Sequence, residues 1–166
     1  MRTSLFLRPD TIRNFVFGIE DSLVSTIGFV SGIAAAGFSQ KTILLSGAVL
    51  ILVEAFSMAI GSLLSDNSVE EALEHKEVSY MSSVWGAFVM LVSYVVAGGI
   101  IILPYVLVPF AYAFETAISI AVVALFFLGM LSGKVVGVSM WHKGLSTVLL
   151  GGLAIVIGVG VGLLFR

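Results

Sequence analysis

Four carboxylates stand inside apolar runs where a charge is out of place: Glu20, Asp21, Glu54 and Glu115. An acid at mid-membrane costs about 2.5–3.5 kcal/mol on the insertion scale, and such residues mark functional sites by default. No lysine or arginine lies deep in the same runs. A bound cation or a proton therefore explains the acids better than an internal salt bridge. Asp21, Ser25, Gly28 and Gly32 are spaced by four, three and four residues, so they share one stripe of a helix and turn toward its nearest neighbour. Gly47, Glu54, Met58 and Gly61 share a stripe on the next helix. With a rise of about 1.5 Å per residue, Asp21 and Met58 lie at one depth, roughly 9–10 Å in, and Glu54 a turn deeper. A carboxylate and a thioether at one level, with a second carboxylate below, suit Fe²⁺ or Mn²⁺ better than Mg²⁺ or Ca²⁺, which want oxygen alone.

Plainer roles exist for each residue. Met58 by itself is an ordinary core methionine. Glu20 points about 100° away from Asp21 and fits a helix boundary. Glu115 fits an interfacial position, and His142 beside Lys143 a solvated loop. A second constellation lies in the polar segment 65–79. On a helix Glu70, Glu74 and Glu77 fall on one face, and Glu71 and His75 form an i, i+4 pair. Carboxylates with an imidazole could capture a divalent ion from the cytosol; a solvated acidic turn is the simpler alternative.

The elements that must position these residues follow from composition. Of 166 residues 59% are hydrophobic and 11% charged, with a mean hydropathy of +1.16. A soluble domain carries about 25% charged residues, so the expectation is an all-α integral membrane protein. Charge-free stretches mark five spans, near residues 14–38, 42–64, 81–103, 109–131 and 144–165, in a single transmembrane domain. Pro104 and Pro109 divide the long uncharged run before the fourth span. The runs are apolar all round, which excludes transmembrane strands. Arg2, Arg8, Arg13, Lys76, Lys134 and Lys143 fall on one side and Lys41 and Arg166 on the other, so the N-terminus and the 65–79 segment are expected in the cytoplasm. A net charge of −2 without a basic cluster argues against nucleic acid as a partner. The absence of cysteine excludes disulfides and thiolate metal sites. Arginines and the Glu20-Asp21 break make the start of the chain a poor signal peptide. Gly28-x-x-x-Gly32, Gly129-x-x-x-Gly133-x-x-x-Gly137 and Gly158-x-x-x-Gly162 have the spacing of close helix packing, within one subunit or between two. Five spans are few to enclose a path, so a homodimer is plausible.

The stretch Phe17-Gly-Ile-Glu-Asp-Ser-Leu-Val-Ser-Thr-Ile-Gly-Phe-Val-Ser-Gly32 resembles the first-helix motif of the vacuolar iron transporter family. Ser57-Met-Ala-Ile-Gly61 with Ser65-x-x-Ser68-x-x-Glu71 resembles its second-helix motif, and Leu103-Pro-Tyr105 and the glycine-rich fifth span also fit. The resemblance implies a dimeric five-helix transporter in a prokaryotic cell membrane or a vacuolar membrane. It would carry Fe²⁺, often also Mn²⁺, out of the cytosol in exchange for protons, with no permanently bound cofactor. The implied path lies at the dimer interface, lined by the first-helix Asp and second-helix Met, here Asp21 and Met58. Three departures stand out. Ser22 follows the Asp where the family usually has Gly, with Glu20 before it in place of Asn. Ser62 replaces the usual Glu, while Glu54 stands a turn before Met58. The family's long metal-binding insert between the second and third helices shrinks here to residues 65–79.

Residues and resemblance together point to a proton-coupled metal transporter that meets lipids, protons, a divalent ion and a second copy of itself. The alternative is a membrane scaffold whose protonated acids make interhelical hydrogen bonds. An intramembrane hydrolase is disfavoured, because Asp21 has no second aspartate on another span and no serine has a buried histidine partner. No enzymatic activity is expected.

Overall fold

A computed structural model of the chain describes residues 9–75 and 80–166. Among these there is no strand; the order is α1 (Pro9–Ala35), α2 (Gln40–Glu74), α3 (Met81–Ile102), α4 (Pro104–Leu107), α5 (Phe110–Val136) and α6 (Met140–Leu164). Five helical segments are long and apolar enough to cross a membrane, α3 and α4 counting as one from Ser83 to Leu107. With no water in the bilayer, each span must satisfy its own backbone groups, which is why uniformly apolar runs of this length become helices. The protein is an integral multi-pass membrane protein.

Helix α1 is the hub. It packs most extensively on α3 and α6 and also touches α2 and α5. Its buried residues include Ser22, Leu23, Thr26, Ile27, Val30 and Ser31, so the central helix is lined by small polar and aliphatic side chains in turn. The outer faces of α2 and α6 carry exposed Leu52, Val53, Phe56, Leu149, Leu153 and Val156, the surface that lipid or a partner covers.

The glycine spacings are used within the subunit. A Cβ on Gly158 would run into the backbone carbonyl of Gly28, and one on Gly162 into that of Gly32, so α1 and α6 meet backbone to backbone. The stripe read from the sequence therefore serves two neighbours. Gly28 and Gly32 face α6, whereas Ser25 reaches Tyr94 on α3.

Helix ends differ from the charge-marked spans for local reasons. α2 runs a further ten residues beyond Leu64, so 65–74 continue the helix instead of leaving it. Hydropathy marks where lipid ends, whereas helix propagation needs only compatible residues. Asn67 Nδ2 donates to Glu71 Oε1 at 2.9 Å and Ser68 Oγ to the Leu64 carbonyl at 2.8 Å along this extension. His75 closes it in the left-handed conformation, with φ 53°. Pro104 does not divide the third and fourth spans. It sits at the first position of α4, where its missing N–H costs little, and Leu103 before it stays helical. The break comes at Val108, extended at φ −110° and ψ 146°, because it precedes Pro109. α5 outlasts its expected end and stops at Gly137, φ 77°, whose N–H donates to the Gly133 carbonyl.

Candidate functional site

Two cross-links set the register of α1 against α2. At the charged end of the bundle Arg13 pairs with Asp66, and Asn14 Nδ2 donates to the other Asp66 oxygen at 3.0 Å. Asn14 is almost fully buried. The helices are antiparallel neighbours in the sequence, so equal steps from this link reach equal depths. Asp21 lies eight residues beyond Arg13, and Met58 eight residues before Asp66. At about 1.5 Å per residue both sit roughly 12 Å further in. The common depth expected of Asp21 and Met58 therefore agrees with an observed contact.

The second cross-link lies one turn deeper. Tyr94 on α3 is fully buried and donates its hydroxyl proton to Glu54 on α2. Ser25 Oγ on α1 lies 2.6 Å from the Tyr94 hydroxyl oxygen. Ser22 Oγ also donates to the Tyr94 backbone carbonyl at 2.7 Å. Three helices thus converge on one carboxyl group through the Tyr94 hydroxyl. Asp21 is half-buried, one turn of α1 from Ser25, and its charge is opposed by those of Glu54 and Glu20. Among the described residues the ion pair is Arg13–Asp66, and neither Asp21 nor Glu54 has a basic partner.

Met58 is half-buried against Ile51, Ala55 and Tyr94. It also lines an open cleft of about 630 Å³ between α1, α2 and α3, together with Asn14, Ser57, Ser62, Ser65 and Met90. Arg13 stands at the mouth of this cleft. A separate groove on the outer face of α2 is lined by Phe29, Val49, Val53 and Glu54. The acid thus stands on an apolar surface of a single subunit.

Other residues singled out from the sequence sit elsewhere. Glu20 is half-buried and acts on Asp21 electrostatically. Glu115 is exposed on α5. Glu70 and Glu71 are half-buried, and Glu74 and His75 exposed, on the last turns of α2; Glu77 lies outside the described residues. Glu71 is held by Asn67. Among the described residues no three His, Asp or Glu side chains come together as a metal cage. Tyr94, Asp66 and Arg13 were not recognised as site residues from the sequence. The adjacent Ser93-Tyr94 in an otherwise apolar span was the available signal for the first.

A sequence model of the VIT family matches residues 12–79 and 70–163, two overlapping stretches that cover nearly all of the chain. No curated protein matches the chain individually. The matched stretches take in both cross-linked helices, Asp21, Met58 and all five spans. The chain belongs to the VIT family, the vacuolar iron transporters.

Proposed function

We propose that the protein is a proton-coupled transporter that moves Fe²⁺, and also Mn²⁺, out of the cytosol along a path between two copies of the chain. VIT family members are transporters and not enzymes, and membership points to metal-ion transport across a membrane. The observation that carries the finer reading is that two half-buried acids, Asp21 and Glu54, stand inside the spans on neighbouring helices. Asp21 on α1 and Glu54 on α2 are within electrostatic reach of one another, and neither has a basic partner among the described residues. Only a cation or protons can relieve their repulsion. Met58 at the depth of Asp21 adds a soft donor that favours a transition metal over Mg²⁺ or Ca²⁺.

Expelling M²⁺ against an inside-negative potential costs about 4.6 kcal/mol at 100 mV. Inward proton movement can supply this, provided the same acids bind protons and metal in turn. The open cleft and the acid-bearing groove on α2 support a path completed by a second subunit. In this reading the charged end of the bundle is cytoplasmic, and the acids of the α2 extension, Glu70, Glu71 and Glu74 with His75, concentrate cations near the mouth. Asp21, Glu54 and Met58 hold the ion, with Glu20 beside them.

The test is uptake of Fe²⁺, Mn²⁺, Co²⁺ and Zn²⁺ into liposomes carrying the purified protein, with and without a pH gradient. Gradient-dependent Fe²⁺ and Mn²⁺ flux is expected. Flux that ignores the gradient removes the proton coupling. No metal flux under any gradient favours a scaffold, in which the protonated acids serve interhelical hydrogen bonds such as that between Glu54 and Tyr94.

A further inference from the structure

Arg13 stands between two cavities. On one side it lines a polar hollow of about 180 Å³ at the charged end of the bundle, together with Asp10, Asp66 and Glu70. On the other it lines the cleft that holds Met58, together with Asn14 and Ser62. The partition between them is built unevenly, with the acid fixed and the base loose. Asn14 Nδ2 donates to Asp66 Oδ2 at 3.0 Å and Ser62 Oγ donates to the same oxygen at 3.4 Å, and the Asp66 side chain is only 10% exposed. Gly86 of α3 backs this pair, since a Cβ there would come within 2.7 Å of Asn14 Nδ2. Arg13 has no such frame. Its Nη2 donates to Asp66 Oδ1 and, at 3.4 Å, to Asn14 Oδ1, while its side chain is 57% exposed. An ion pair with one member so exposed contributes little and opens readily into water. A single cationic nitrogen thus occupies two oxygens from two helices, a place that another cation can take.

We propose that Arg13 is the movable leaf of an entry gate, and that a divalent cation reaches the Met58 cleft by displacing it from Asp66 Oδ1 and Asn14 Oδ1. The inference rests on the metal-transport reading above, with the charged end of the bundle facing the cytosol. With Arg13 in place, its charge at the mouth repels an approaching cation and both oxygens are engaged. When the guanidinium swings into water, a carboxylate and an amide oxygen stand open on a fixed frame, and such hard donors suit a divalent ion. The Met58 thioether meets the ion only afterwards, so the gate selects for charge and the cleft for softness. The two partners therefore have opposite duties, one barring the path and the other receiving the ion. A clasp that merely ties α1 to α2 does not divide its partners in this way.

The test compares Mn²⁺ uptake into liposomes for wild type, Arg13→Gln and Asp66→Asn, at equal amounts of folded protein. Arg13→Gln should raise uptake and Asp66→Asn should lower it, each by about two- to fivefold, the range to which an exposed ion pair's contribution converts. Any other pattern, a parallel loss above all, makes the pair a structural clasp and overturns the inference while leaving metal transport standing. A second measurement does not depend on flux. Met90 on α3 is almost fully buried and lines the cleft, and the chain has no cysteine of its own. In nanodiscs, Met90→Cys should react with a water-soluble maleimide severalfold faster when combined with Arg13→Gln. Equal labelling rates overturn the gate. Wild-type liposomes that carry no metal overturn the transport reading and, with it, the displacement of Arg13 by an ion.

Discussion

The intramembrane residues divide between those that bear charge and those that set its position. Asp21 and Glu54 are half-buried acids without a basic partner among the described residues, and Arg13 is engaged by Asp66 at the end of the bundle. Among the described residues no hydrogen bond or ion pair ends on the Asp21 side chain, so in the proposed reading it serves the ion more than the fold. Asp21→Ala should lower metal uptake by about tenfold or more, the effect of losing roughly 1.4 kcal/mol of ion binding, while the protein melts as wild type does. Full uptake by the variant would remove Asp21 from the path. Met58 has two duties, since it packs on Ala55 and Tyr94 and lines the cleft. Met58→Leu keeps the volume and removes the sulfur, a swap that costs under about 1.5 kcal/mol of stability. The ratio of Fe²⁺ to Mn²⁺ uptake should fall, because the softer ion loses its thioether. An unchanged ratio would make Met58 a packing residue only.

At the scale of elements, the seam between α1 and α6 is the most exacting contact. Gly158 faces the Gly28 carbonyl with no room for a methyl group, and a backbone carbonyl in a helix cannot swing aside. Gly158→Ala should destabilise by about 1–3 kcal/mol, the usual range of overpacking, and lower the melting temperature in detergent. Gly152→Ala on the same helix meets nothing within 4 Å and serves as the control, with stability equal to or above wild type. Equal melting of the two variants would mean that α1 and α6 do not meet at Gly158. The two prolines teach a related lesson. Pro104 and Pro109 look alike as breakers, yet the chain turns only at the second, because Pro104 starts a helical turn while Pro109 forces its predecessor to extend.

For the whole molecule, the proposed dimer is expected to form through the outward face of α2. Leu52, Val53 and Phe56 are exposed there around half-buried Glu54, whereas the outward face of α6 carries Leu149, Leu153 and Val156 without an acid. A lipid surface suits the second face and penalises the first. The chain has no cysteine, so a single introduced thiol reports without background. Val53→Cys, 62% exposed, should cross-link to a dimer under oxidation in membranes, and Leu153→Cys, 57% exposed, should not. Cross-linking at Leu153 alone, or equally at both, would place the contact between copies away from the acids.

Much of this was legible in the sequence because the bilayer imposes simple rules. Uncharged runs longer than the hydrocarbon core must be helices, so the five spans could be counted. An acid inside such a run stands out at once, as Asp21 and Glu54 do, and helical spacing sets Met58 on the stripe of Glu54. Periodicity also placed Gly28, Gly32, Gly158 and Gly162 on packing stripes. What it could not supply was the partner of each stripe, since 100° per residue orders side chains around one helix and says nothing of which helix lies opposite. The tertiary structure alone decided that the glycines serve α6, that Asp66 takes Arg13, and that Tyr94 joins Ser25 to Glu54 across three helices. Helix ends likewise escaped a reading based on charge: α2 continues ten residues past its apolar run, because backbone hydrogen bonding propagates through any compatible residues while hydropathy reports only where lipid gives way to water.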